Sequence, residues 1–174
     1  LGTFVGSSAE KIIPLSKKVL GTMAGSAADC VSWLRLLSAL SKLHELNTGA
    51  PLSASEAART LGSLLRRRRG DDYGVGTMVF DSDALYYVDG EGYELKGSAF
   101  AVGSGSVYAY PALEANLDGL VDAAAALEIA ERAVATAAVR DAYSGGLLNL
   151  CVAEKDSEGW RSLVRRQSPT VLNT

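Results

Sequence analysis

The period of the apolar residues switches along this chain in segregated blocks. Two short apolar runs come first, then two stretches at helical spacing, three more short runs, two helical stretches and a closing pair of runs. Such blocks do not build the repeated strand–helix–strand crossovers of a parallel sheet. Sheets made mostly of hairpins and meanders accommodate them, so the pattern predicts an α+β or layered fold. With 174 residues, 48% hydrophobic and 21% charged, the chain reads as one domain over residues 1–174 with enough apolar material for a core, not as a disordered segment.

The first runs, Lys11 to Leu15 and Lys18 to Ala24, read as strands around the turn-forming Ser16-Lys17. Cys30, Trp33, Leu34, Leu37 and Leu40 then recur on one helical face, which predicts a helix over about Ala27 to Leu46 that Asn47 to Pro51 terminates. Ser53 and Glu56 form a Ser-x-x-Glu capping box at the head of a second helix. Its apolar face runs from Ala54 to Leu65, and it ends in Arg66 to Arg69. That arginine run admits a nucleic-acid reading, but the adjoining acidic residues favour a solvated helix end.

Val75 to Phe80, Ala84 to Val88 and Ser98 to Val102 predict an antiparallel meander. A short helix through Tyr108 and Leu113 follows, then a long one capped by Asp118 with Leu120, Ala123, Leu127, Ala130, Val134 and Ala137 on its face. Leu147 to Ala153 and Trp160 to Val164 read as closing strands, and residues 165–174 form a tail with no element assigned.

A formal net charge of −3 gives no electrostatic attraction to nucleic acid, and charged residues interrupt every apolar stretch before it reaches membrane-spanning length. Leu1 to Ser8 does not read as a signal peptide, and the non-Met Leu1 is taken as a processed or truncated end. Cys30 and Cys151 lie far apart in apolar runs, a pattern of buried thiols that points to the cytoplasm or nucleus. Two cysteines and one histidine do not make a zinc site, and no cofactor motif is present.

Three segments carry possible chemistry. Leu20 to Cys30 turns from strand to helix through small residues, where free N–H groups can hold an oxyanion or simply close a tight turn. Gly103-Ser104-Gly105-Ser106 lacks the Gly-Lys-Ser/Thr of a phosphate loop. Arg140 to Gly146 places Asp141 and Ser144 three residues apart at a helix end, either as a functional pair or as a helix cap with a surface aspartate. His44 sits at the end of an apolar stripe and reads as a packing or surface residue.

These segments agree on one family. Gly21-Thr22-Met23-Ala24-Gly25-Ser26-Ala27-Ala28-Asp29-Cys30, Leu85-Tyr86-Tyr87-Val88-Asp89, Gly103 to Tyr110, and Arg140 to Gly146 resemble the 20S proteasome β subunits, in particular the eukaryotic beta-5, chymotrypsin-like type. The resemblance runs from about Gly2 to Val164. It implies the N-terminal nucleophile hydrolase fold, a four-layer αββα sandwich, here without its first two strands. It also implies heptameric rings shared with other β and α subunits, and unfolded polypeptide as substrate.

In that family an N-terminal threonine hydroxyl is the nucleophile and the chain's own amino group accepts its proton. Carried over by motif, Lys11 is the lysine beside that threonine, Asp141 with Ser104 and Ser144 orders the N-terminus and its water, and the Gly25 N–H is the oxyanion donor. Ala9, Met23 and Ala27 fall on positions lining the pocket for the residue before the cleaved bond, with room for large apolar side chains.

The departures bear on activity. The hairpin that carries the threonine and the lysine-supporting aspartate has no counterpart here, and Thr3 lies only eight residues before Lys11, too close to replace it. The Phe80 to Asp83 turn is short for the family, and Pro111 stands in place of a glycine. The implied reading is a beta-5-type threonine endopeptidase subunit, incomplete in this sequence; the alternative is a catalytically silent β-like subunit.

Overall fold

A computed structural model describes residues 10–71, 73–116, 122–156, 159–162 and 166–169. Strands β1 (Ile12–Pro14) and β2 (Leu20–Thr22) form a hairpin, closed by the Ser16 hydroxyl, which accepts the Lys18 and Val19 N–H groups at 3.1 Å each. Pro14 lies within β1, a position its missing N–H allows because β1 is the sheet edge. Strand β3 (Ala24–Gly25) leads into α1 (Ala27–Thr48), whose N-cap is Ser26. The helix runs to Thr48, beyond the predicted stop at Leu46, and Gly49 ends it with a φ of 75°.

Helix α2 (Ala54–Arg66) begins with the predicted capping box, the Ser53 N–H reaching Glu56 Oε2 at 2.8 Å. These bonds from Ser53 hold the Glu56 carboxyl below its ordinary range. A second tie comes from afar, because Asp81 Oδ2 accepts the Ala54 N–H at 2.7 Å.

Strands β4 (Val75–Phe80), β5 (Leu85–Asp89) and β6 (Glu94–Gly97) complete a six-stranded antiparallel sheet in the order β1-β2-β4-β5-β6, with β3 paired to β4. The predicted third strand, Ser98 to Val102, is therefore misplaced. β6 is the polar segment before it, an edge strand whose Glu94 and Lys96 flank Leu95. Residues 98–102 instead cross the sheet face, where Phe100 meets the Tyr87 ring at 6.0 Å between centroids.

The main core lies between this sheet and the helix pair, where Leu15, Leu34, Leu37, Leu61, Val79 and Val88 are at most 1% exposed. Gly62 of α2 lies against the β5–β6 turn. Arg66 donates to Gly92 O and to Glu94 Oε1, the latter at 2.9 Å, and Arg69 bonds Glu91 Oε2 at 2.6 Å and the Tyr93 hydroxyl at 3.0 Å. The arginine run is an exposed helix end, as expected, and half of it also clasps a hairpin turn.

Helix α3 (Ser106–Glu114) packs along α4 (Ala123–Arg140) through Ala109, Ala133 and Ala137, small side chains that let two helices approach closely. Pro111 sits inside α3, and its carbonyl still accepts the Ala115 N–H at 3.2 Å. The α4 cap is Asp122, not Asp118, which with Leu120 lies outside the described residues. Val134, predicted on the buried face, is 44% exposed; in an alanine-rich helix the Ala133–Ala137 ridge, not the larger side chain, meets the neighbour.

The chain closes with β7 (Leu147–Leu150), β8 (Ala153–Asp156), β9 (Gly159–Ser162) and β10 (Arg166–Pro169). β8 pairs with β9, and β10 pairs back on β7, so two expected strands are four and part of the supposed tail is a strand. Among the described residues no helix is long and apolar enough to cross a membrane.

Candidate active site

Helix α4 ends at Arg140, and Asp141 leaves it in an extended conformation with its N–H still bonded to Ala137 O at 2.8 Å. Its carboxylate then gathers donors from two elements. Ser104, in the loop before α3, and Ser144, just beyond α4, each donate to Asp141 Oδ2 at 2.6 Å, and the Tyr143 N–H reaches Oδ1 at 3.2 Å. These bonds, Ser104 first, hold the Asp141 carboxyl below the ordinary carboxylate range. Asp141 is thus both the C-cap of α4 and the centre of a serine-carboxylate cluster.

Sequence reasoning missed Gly105. A Cβ there would stand 2.7 Å from Ser144 Oγ and 2.9 Å from the Ala137 Cβ, so only glycine lets α3 begin against the end of α4. The alternation Gly-Ser-Gly-Ser was its only signal.

The second half of the site is the turn into α1. Gly25 has a φ of 100°, and a Cβ on it would run into Gly74 O. The Ser26 N–H bonds that same oxygen at 2.6 Å. This fixes the β3-to-α1 turn, with residues 25–28 exposed at the positive end of a 22-residue helix. Lys11 extends the β1–β2 ladder, its carbonyl accepting the Met23 N–H at 2.9 Å, and its side chain is exposed. Cys30 is buried, donating to Ala24 O at 3.2 Å, and burial pushes its thiol pKa up.

The two halves meet at Gly103, where a Cβ would lie 3.8 Å from that of Ala24. Beside Gly25 and Gly103 opens a cavity of about 490 Å³ lined by Gly25, Tyr73, Tyr87, Gly103, Ser106 and Tyr110 among others. Of the predicted site residues Gly25 lines it, whereas Lys11, Ser104, Asp141 and Ser144 do not. Met23 is half-buried against the main core, Ala27 is exposed, and neither lines this cavity; Ala9 lies outside the described residues.

A family model described as "Proteasome subunit" matches residues 2–153. The chain belongs to the proteasome subunit family. Its α+β architecture is accordingly that of the N-terminal nucleophile hydrolases, with an antiparallel sheet under paired helices. Proteasome subunit beta type-5 of Gallus gallus is 41% identical over 165 residues, 92% of this chain and 64% of the relative. The type-5-A subunit of Arabidopsis thaliana is 42% identical over 168 residues, 94% and 61% of the two chains. The type-8 subunit of Canis lupus familiaris is 38% identical over 164 residues, 91% and 59%. The chain thus spans about six-tenths of the length of these proteasome relatives.

Proposed function

We propose that this chain carries the supporting groups of a beta-5-type threonine endopeptidase, a subunit that hydrolyses peptide bonds after large apolar residues. What supports the reading most is the convergence of Ser104 and Ser144 on one oxygen of Asp141. Both hydroxyl protons are committed to the carboxylate, so each serine presents its oxygen lone pairs outward and can accept from an ammonium group or a water. That is the task of ordering a threonine N-terminus. Lys11 stabilises the nucleophile's deprotonated form by its charge, and the Gly25 N–H receives the oxyanion.

The nucleophile this requires is a threonine outside residues 1–174. The proposed partners are the other β and α subunits of two stacked heptameric rings, with unfolded polypeptide as substrate, in the cytoplasm and nucleus. The type-5 and type-8 names of its relatives support the subunit class in this reading. The second reading is a catalytically silent ring subunit.

The test is the protein made from its complete coding sequence. A boronate adduct on a threonine N-terminal to Leu1, with cleavage of a tyrosine-ending reporter peptide lost in Lys11→Ala, supports the endopeptidase. Ring incorporation without adduct or cleavage replaces it with the silent subunit. The 174-residue chain alone should show neither adduct nor cleavage.

A further inference from the structure

We propose that Cys30 is a positioning residue for the Gly25 N–H, acting through the carbonyl of Ala24. The inference rests on the reading of that N–H as the oxyanion donor. Gly25 lies between two carbonyls that Cys30 holds: the Cys30 N–H bonds Ser26 O at 3.0 Å, and its thiol bonds Ala24 O at 3.2 Å. One residue in the first turn of α1 thus brackets the glycine from both sides.

The bond to Ala24 matters most, because the Ala24 carbonyl and the Gly25 N–H belong to one planar, trans peptide unit and point in opposite directions. Fixing one aims the other. The strand pairing gives the direction: Ala24 stands opposite Gly76, Gly25 opposite Val75, and the Ser26 N–H bonds Gly74 O at 2.6 Å. In an antiparallel ladder hydrogen-bonded pairs alternate with non-bonded ones, so Ala24 with Gly76 is a bonded pair and Gly25 with Val75 is not. The Ala24 carbonyl therefore faces β4. The Gly25 N–H points away from β4, on an exposed residue that lines the 490 Å³ cavity.

β3 has only two residues, and Gly25 has no side chain to lock its backbone, so the ladder alone is a weak brake on rotation of this peptide plane. The thiol supplies a fixed point from α1. It is 0% exposed, and burial pushes its pKa up, which keeps it an S–H donor at neutral pH.

The test compares C30S, which keeps a donor and loses volume, with C30V, which keeps volume and loses the donor, in the protein made from its complete coding sequence. Two readouts are taken: cleavage of the tyrosine-ending reporter, and hydrogen exchange at the Ser26 amide, which needs no catalysis. In C30V, kcat should fall about fivefold with KM held within about twofold, and Ser26 exchange should quicken about fivefold, the equivalent of one hydrogen bond. C30S should keep both within about twofold of the parent. Parent-like behaviour of C30V, or C30S impaired as much as C30V, overturns the proposal and leaves Cys30 a packing residue. If the parent protein neither cleaves the reporter nor forms a boronate adduct, the endopeptidase reading fails, and the exchange rates alone decide whether Cys30 anchors the Gly25 peptide.

Discussion

Ser104 and Asp141 stand 37 residues apart, yet the Ser104 hydroxyl donates a 2.6 Å hydrogen bond to Asp141 Oδ2. With Ser144 on the same oxygen, the carboxyl is held below the ordinary carboxylate range. A carboxyl whose pKa is depressed by folding binds fewer protons in the native state. Its contribution to stability is therefore complete above the unfolded value of about 3.9 and disappears as pH falls through the folded value. D141N should lower the urea midpoint at neutral pH and converge with the parent protein only once the pH falls below the depressed folded value. An equal difference at neutral and acid pH would assign the loss to packing instead of charge.

Gly25→Ala tests the turn before α1. The added Cβ meets Gly74 O and the backbone keeps a φ of 100°, so strain and clash together should destabilise the chain by about 2 kcal/mol or more, read as a lower denaturation midpoint. An unchanged midpoint would mean that β3 and β4 approach less closely in solution.

Asp81 closes a turn and starts a helix. Its Oδ1 accepts the Asp83 and Ala84 N–H groups at 2.9 Å each, and its Oδ2 accepts the Ala54 N–H at 2.7 Å. D81A should cost about 1–2 kcal/mol and speed amide exchange at Ala54, whereas D81N, which keeps one acceptor, should cost about half as much. Unaltered exchange at Ala54 in D81A would contradict the tie.

Gly62→Ala inverts the ordinary helix preference. Alanine is favoured by about 1 kcal/mol in a helix interior, but here its Cβ would sit 2.9 Å from Gly92 O and 2.5 Å from Glu94 Oε1. Net destabilisation is expected in thermal unfolding; a raised midpoint would show that the β5–β6 turn yields.

The elements legible in the sequence were those whose signals are local. The α2 capping box needed only Ser53 and Glu56 three residues apart, and the face of α1 needed only the helical recurrence of Cys30, Leu34 and Leu37. β6 was not legible, because an edge strand with Glu94 and Lys96 has no apolar run and exists only through its pairing with β5. α4 misled for a related reason: alanines on several faces leave the choice of buried face to the helix it meets.

By itself, then, the sequence determined the α+β class, the existence of α1 and α2, and the residues that resemble the proteasome subunits, since periodicity, caps and motifs are properties of neighbouring residues. Tertiary structure alone decided that Ser104 and Ser144 share one oxygen of Asp141, that Gly105 must be a glycine, and that Arg66 and Arg69 serve a hairpin. Each depends on elements remote in the chain approaching within hydrogen-bond or van der Waals distance, and local spacing does not encode that approach.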